Sequence, residues 1–144
     1  MKAGQSFFNF YSHDFVRVAV GVPAIRVADP AFNGEQTLLL MREAVERKVV
    51  MVLFPELGLS AYTCDDLFQQ RAVLDGCRES LRKILCASAT WPLIAAVGMP
   101  LVVENLLYNC AVVINRGHIL GVVPKTFIPN YREFYELRQF APGD

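Results

Sequence analysis

The fold of this chain is decided by residues 49–62, which read VVMVLFPELGLSAY. The unbroken apolar run, rich in β-branched side chains, predicts a strand over residues 49–55 that is buried on both faces. The run ends on Glu56, at a turn that contains Pro55 and Gly58. Buried carboxylates rarely lack a partner, and perturbed ones gather at functional sites. Glu56 is therefore the first candidate for chemistry.

Strand and helix patterns alternate on both sides of this stretch. We predict a first strand over residues 15–23 and a helix over about 35–48, capped by Asp29 or Asn33, with Leu38, Met41 and Val45 on its inner face. A second helical region over about 67–89 opens at Asp65 and Asp66 and is broken near Asp75 and Gly76. A third strand over residues 93–99 and a hairpin of residues 108–114 and 119–123, turning at residues 115–118, complete the pattern. This order predicts an α/β fold whose first strands are parallel.

The composition limits the classes of function. The 144 residues correspond to one domain, 53% of them apolar, and the 14 basic and 14 acidic residues give a net charge of zero. A balanced charge favours neither nucleic acid nor an anionic membrane as a partner. The longest apolar stretch is too short to cross a bilayer, and residues 1–11 lack the pattern of a signal peptide. We expect a cytoplasmic protein.

The cysteines and histidines argue against a metal site. The four cysteines (Cys64, Cys77, Cys86 and Cys110) show no C-x-x-C spacing, and the two histidines do not stand at ligand spacing from them. We expect reduced thiols. Cys77 and Cys86 are predicted to lie on the second helix and point into the protein core, and Cys110 is predicted to be buried and inert inside a strand. The chain also lacks the glycine-rich loops of dinucleotide and P-loop sites.

Lys125 is the second candidate for chemistry, because it follows an apolar strand just as Glu56 does. Functional sites of α/β sheets form at the edge where the carboxyl ends of the strands gather. Each residue alone could be an ordinary surface-turn residue. The pair together predicts one cleft that contains both charges.

Two segments around these charges resemble the nitrilase superfamily of carbon–nitrogen hydrolases. Residues 54–68, FPELGLSAYTCDDLF, resemble its first signature, and residues 124–136, PKTFIPNYREFYE, resemble its second. Both have the form found in the glutaminase domains of glutamine-dependent NAD synthetases. The likeness continues through YNCAVVI at 108–114 to FAPGD at 140–144. It implies that the chain is the N-terminal part of a four-layer α-β-β-α sandwich, a single and incomplete domain over residues 1–144.

The resemblance also implies a mechanism in which a glutamate, a lysine and a cysteine act together. The glutamate takes the proton of the thiol, which attacks an amide carbonyl, and the lysine stabilises the oxyanion. By resemblance Glu56 is the base and Lys125 the oxyanion stabiliser. The positions that match the lining of a glutamine pocket are Tyr62, Tyr131, Phe134 and Glu136, with Glu133 as the alternative second carboxylate.

The resemblance implies further parts that this chain does not contain. The family's nucleophilic cysteine lies some tens of residues beyond the lysine signature, so we expect the chain alone to be inactive. In the whole protein the partners would be glutamine and a C-terminal synthetase domain, with ATP and magnesium needed only by that domain and no cofactor in this chain. A half-sandwich exposes one sheet face, so we expect a homo-oligomer. The alternatives are a fragment of another amidase or carbamoylase of the superfamily, or a catalytically silent assembly module.

Overall fold

The structure, a computed structural model, describes residues 7–143, so residues 1–6 and Asp144, the last residue of the FAPGD likeness, lie outside the described part. The strands are β1 (Val18–Val20), β2 (Met51–Leu53), β3 (Ile94–Val103), β4 (Leu106–Asn115) and β5 (His118–Pro124). The α-helices are α1 (Pro30–Glu46) and α2 (Arg71–Ala87), and short 3-10 helices occupy Phe10–His13, Asp65–Gln69 and Glu136–Arg138.

The strands form one sheet in the order β1-β2-β3-β4-β5. The first three strands are parallel, and β4 and β5 are added antiparallel. This arrangement confirms the predicted α/β fold and the parallel start of the sheet. The hairpin at residues 115–118 is also confirmed: Asn115 pairs with His118, and Arg116 and Gly117 have the positive φ angles of a two-residue turn.

A second hairpin, between β3 and β4, was not predicted from the sequence. The third strand continues to Val103 instead of ending near Met99. Glu104 and Asn105 then turn the chain with φ angles of 50° and 65°, which is the backbone that a two-residue hairpin turn requires. Asparagine is common in that conformation but glutamate is not, so only one of the two turn residues indicated a hairpin in the sequence.

The prediction that the second strand is buried on both faces is wrong. Val52 is buried, but its neighbours Met51 and Leu53 are 39% and 49% exposed. Both helices pack against the same face of the sheet and form one core there; its buried members include Met41 and Ala44 of α1, Cys77 and Ile84 of α2, and Val52, Val97 and Val112 of the strands. The face of Met51 and Leu53 has no helix over it within the described residues. The predicted inner face of α1 is confirmed, since Leu38 and Val45 pack against this core around Met41.

Helix α1 starts earlier than predicted because Asp29 is its cap. The Asp29 carboxylate accepts the backbone N–H of Phe32 in the first turn, and Pro30 is the first helical residue, where its missing N–H costs nothing. Asn33, the alternative cap, lies inside the helix and is fully buried. Its side-chain amide donates to the carbonyl of Leu59 at 3.1 Å, so it fastens α1 to the loop after β2.

The predicted break at Asp75 and Gly76 is also wrong, because α2 runs through both residues. The chain instead breaks at Gln70, between the 3-10 helix Asp65–Gln69 and α2. A Cβ on Gly76 would lie 3.1 Å from Pro30, so the glycine permits close packing of the two helices. Its lower helix propensity is outweighed by this tertiary contact.

Gly98 is expected to be essential for the geometry of the turn that carries Glu56. A Cβ at this position would lie 2.5 Å from the Leu57 nitrogen and 2.6 Å from the Pro55 carbonyl oxygen, both of which are backbone atoms that cannot swing aside. We expect Gly98→Ala to lower the free energy of unfolding by about 1–3 kcal/mol, measured by urea denaturation. Gly121→Ala in β5 is the matched control, since its Cβ would have no neighbour within 4 Å. Equal stability of the two variants would contradict this account.

Candidate active site

Glu56 is presented by a strained turn at the carboxyl end of β2. The next residue, Leu57, has a φ of 52°, in the left-handed region, and its side chain is fully buried. Such a conformation costs a non-glycine residue about 1–2 kcal/mol, which the buried side chain can offset. The Leu59 N–H donates to the Gly98 carbonyl at 3.1 Å and ties the turn to β3. Strain of this kind is characteristic of functional turns.

Lys125 is fixed at the end of β5 by backbone hydrogen bonds on both sides. Its N–H donates to the Asn109 carbonyl at 2.8 Å, and its own carbonyl accepts the N–H of Gly143 at 2.9 Å. The backbone position of the lysine is therefore set by β4 and by the C-terminal loop. Its side chain is free to reach toward the end of β2.

The structure brings Glu56 and Lys125 together, as predicted. The Lys125 Nζ lies 2.7 Å from Glu56 Oε1, and 2.9 Å and 3.1 Å from the two carboxylate oxygens of Glu136. The Tyr62 hydroxyl donates to Glu136 Oε1 at 2.6 Å. Tyr62, Glu136, Lys125 and Glu56 thus form one continuous network of charge-assisted hydrogen bonds, which are stronger than neutral ones.

The glutamates of this network differ in their exposure. The Glu136 side chain is only 7% exposed, whereas that of Glu56 is 42% exposed and that of Lys125 is 29% exposed. The expectation that Glu56 is a buried carboxylate is wrong, because the turn after β2 leaves its side chain exposed. Glu56 is paired and not desolvated, and Glu136 is the buried carboxylate of the site.

The network alters two pKa values. Partial burial lowers the pKa of Lys125, but its hydrogen bonds and charge interactions with Glu56 and Glu136 outweigh that effect, so the pKa lies above its ordinary value. The lysine is therefore an ammonium ion at neutral pH. Burial, the hydrogen bond to Glu136 and the charges of both glutamates raise the pKa of Tyr62, which keeps its hydroxyl a donor.

Two cavities meet at this network. The larger, of about 630 Å³, is lined by Tyr62, Glu133, Phe134 and Glu136, among others. The smaller, of about 350 Å³, contains Glu56 and Lys125. The Lys125–Glu136 ion pair joins the two cavities, so Glu56 and Lys125 line the smaller one and the aromatic and acidic side chains line the larger one.

The structure places the three remaining predicted residues at two locations. Phe134 lies in the lining of the larger cavity together with Glu136. Glu133 also lines this cavity, but Glu136 is the carboxylate that contacts Lys125. Tyr131 is 63% exposed and lines a different depression, with its ring 5.8 Å from that of Phe134. Tyr131 is thus not brought into the larger cavity.

The cysteines of the described residues are free. Cys110 lines the smaller cavity but is only 4% exposed, and burial raises its pKa, which suppresses the nucleophilic thiolate. Burial also raises the pKa of Cys64, and it raises that of Cys77 to about 12. The prediction for Cys77 is confirmed, but the placement of Cys86 in the core is wrong, because Cys86 is exposed.

Asn109 is a site residue that the sequence analysis missed. It lies in β4, is 4% exposed, and its side-chain amide donates to Glu56 Oε1 at 2.5 Å. The available signal was a lone amide inside the apolar run of β4. Among residues 7–143 no cluster of possible metal ligands is present, and no helix there is long and apolar enough to span a membrane.

The fold is that of a carbon–nitrogen hydrolase. The sequence model of that family, carbon–nitrogen hydrolase, matches residues 17–144, and the chain belongs to the family. The chain is 42% identical over 140 residues to the glutamine-dependent NAD(+) synthetase of Mycobacterium tuberculosis, a match that covers 97% of this chain and 21% of the relative. The chain thus spans about a fifth of the length of the curated relatives it matches.

Solved structures agree with this assignment. The crystal structure of a glutamine-dependent NAD(+) synthetase from Cytophaga hutchinsonii superposes with a TM-score of 0.82 at 25% identity, over 88% of this chain and 22% of that one. An amidase from Nesterenkonia sp. superposes with a TM-score of 0.74 at 21% identity, over 90% of this chain and 48% of that one, and shows the shared fold. The predicted fold class and family are confirmed.

Proposed function

We propose that this chain is the N-terminal part of the glutamine-hydrolysing domain of a glutamine-dependent NAD synthetase. The whole protein would release ammonia from glutamine and use it in the ATP-dependent amidation of nicotinate adenine dinucleotide. The observation that carries the proposal is the Tyr62–Glu136–Lys125–Glu56 network at the end of the sheet. The named relatives support the choice of glutamine over other amides.

In this proposal Glu56 is the general base. The Glu56 carboxylate is partly exposed and pairs with Lys125 through one oxygen, so its other oxygen can accept the proton of a thiol. This proton transfer is needed because only the thiolate attacks an amide carbonyl efficiently. After ammonia leaves, the same carboxylate activates the water that hydrolyses the thioester. The thiol would come from a cysteine outside this chain. The buried Cys64, Cys77 and Cys110 are poor nucleophiles, and the exposed Cys86 lies on α2, in the lining of neither cavity.

Lys125 would stabilise the oxyanion that forms when the thiolate attacks. Its ammonium group contacts both oxygens of Glu136, and a substrate oxygen can replace one of those two contacts while the other holds the lysine in place. Glu136 and the Tyr62 hydroxyl would thereby keep the lysine preorganised. The larger cavity, with its acidic and aromatic lining, would receive the amino-acid end of glutamine.

The second sheet of the sandwich and the synthetase domain would lie in parts of the protein beyond this chain. The face of the sheet that carries Met51 and Leu53 would be covered by the second sheet of the sandwich, which would also supply the nucleophilic cysteine. ATP and magnesium would act in the synthetase domain. We also propose that the protein is a cytoplasmic homo-oligomer.

The test is an assay of ammonia release. The full-length protein is expected to release ammonia from glutamine in preference to asparagine, simple aliphatic amides and carbamoyl compounds. The 144-residue chain alone is expected to release none. Preference of the full-length protein for a simple amide would favour the amidase alternative, and robust turnover by the chain alone would overturn the argument that the nucleophile lies outside it.

A further inference from the structure

Asn109 occupies a position between the two charges of the site. Its backbone carbonyl accepts the N–H of Lys125, and its side-chain amide reaches Glu56. An ionised carboxylate accepts hydrogen bonds but cannot donate them. The part of the Asn109 amide that faces Glu56 is therefore its NH₂ group. A buried amide in an apolar strand is costly unless it is hydrogen-bonded, and Glu56 provides that partner.

Both donors to Glu56 bind the same oxygen. Asn109 Nδ2 lies 2.5 Å from Glu56 Oε1, and Lys125 Nζ lies 2.7 Å from the same atom. Within residues 7–143 no group donates a hydrogen bond to the other oxygen, Oε2. The two oxygens are therefore chemically distinct: Oε1 is satisfied by two donors, and Oε2 retains its capacity to accept a proton.

We propose that Asn109 is a positioning residue that fixes the Glu56 side chain so that Oε2 is the proton-accepting atom. In the step concerned, the S–H bond of the attacking thiol breaks, an O–H bond forms at Oε2, and the electron pair remains on sulfur as the thiolate. Lys125 alone cannot define this geometry, because its flexible ammonium group is shared with Glu136. Asn109 lies within β4, so its backbone is fixed and its side chain can hold Glu56 in one orientation. The inference rests on the proposed function.

The test uses two variants of the full-length protein. Asn109→Asp keeps the shape of the side chain but removes the donor, and Asn109→Leu removes the donor without adding a charge. Asn115→Asp is the matched control, because Asn115 lies in the same strand and donates to the carbonyl of Leu93 at 3.0 Å, away from the site. Each variant is assayed for kcat and KM of glutamine hydrolysis and for its melting temperature.

We expect both Asn109 variants to lower kcat by about tenfold or more and to leave KM within about twofold, because a misplaced base slows the chemical step without changing the larger cavity. Asn115→Asp is expected to keep kcat while losing stability. A kcat of the folded Asn109 variants equal to that of Asn115→Asp would overturn the inference and leave the proposed function intact. Unfolding of both Asn109 variants, with Asn115→Asp folded, would overturn it in favour of a structural role. An inactive wild-type protein would overturn the proposed function and the inference together.

Discussion

Glu56→Gln is expected to lower the rate of ammonia release from glutamine by about 100-fold or more in the full-length protein. The substitution keeps the size of the side chain and its place beside Lys125, but an amide cannot accept the proton of a thiol at neutral pH. General base catalysis of this kind contributes about 10²–10⁴ in rate. The measurement is steady-state ammonia release at pH 7.5.

Two controls separate the loss of the base from a general loss of folding. Glu104→Gln makes the same change in the exposed β3–β4 turn and is expected to leave the rate unchanged. NAD formation supplied with free ammonium is expected to persist in Glu56→Gln, because it bypasses glutamine hydrolysis. A Glu56→Gln variant that retains the wild-type rate would show that Glu56 is not the base.

Lys125→Met is expected to lower both activity and stability. The loss of the ammonium group removes the proposed oxyanion stabiliser, and loss of one such donor typically costs 10²–10³ in rate. The change also leaves the buried Glu136 carboxylate with the Tyr62 hydroxyl as its remaining side-chain partner. An unsatisfied buried group costs about 1–3 kcal/mol, so we expect a loss of that size in the free energy of unfolding.

The control for stability is Arg138→Met. Arg138 forms an ion pair with Asp66 in which both side chains are mostly exposed, at 69% and 73%, so its loss is expected to cost less than about 1 kcal/mol. If Lys125→Met were no less stable than Arg138→Met, the network would have no role in holding the site together.

The raised pKa of Lys125 sets the pH range of this stabilisation. A group whose pKa is higher in the folded protein stabilises the fold fully below its unfolded pKa, near 10.5, and loses the effect as the pH rises through the folded value. The stability difference between wild type and Lys125→Met is therefore expected to be constant from pH 7 to about pH 10 and to shrink above that. A difference that grows at high pH would contradict the ion-pair explanation.

The sequence predicted the features that depend on strand order and on single turns. Glu56 and Lys125 each follow an apolar strand, and the carboxyl ends of those strands do meet at one edge. The turn at residues 115–118 was predicted from the segment Asn-Arg-Gly-His between two apolar strands. In both cases the local sequence contains the determining chemistry, since strand ends and left-handed turns need particular residues.

The features that the sequence did not predict depend on what packs against each element. An apolar strand such as β2 is compatible with burial on one face or on both, and only the placement of α1 and α2 on the same face decides between them. The role of Gly76 required knowledge that Pro30 lies opposite. Asn109 became recognisable as a site residue only when the sheet register placed it beside Glu56.

The most direct test of the glutamine site is a crystal structure of the full-length Glu56→Gln variant soaked with glutamine. Loss of the base is expected to slow cleavage about 100-fold or more, which allows bound glutamine to be observed in crystals cooled soon after soaking. We predict that the side-chain carbonyl oxygen of glutamine lies within hydrogen-bond distance of Lys125 Nζ, with its amino-acid end in the cavity lined by Tyr62 and Glu136. Glutamine bound away from Lys125, or an empty site at saturating glutamine, would contradict the account.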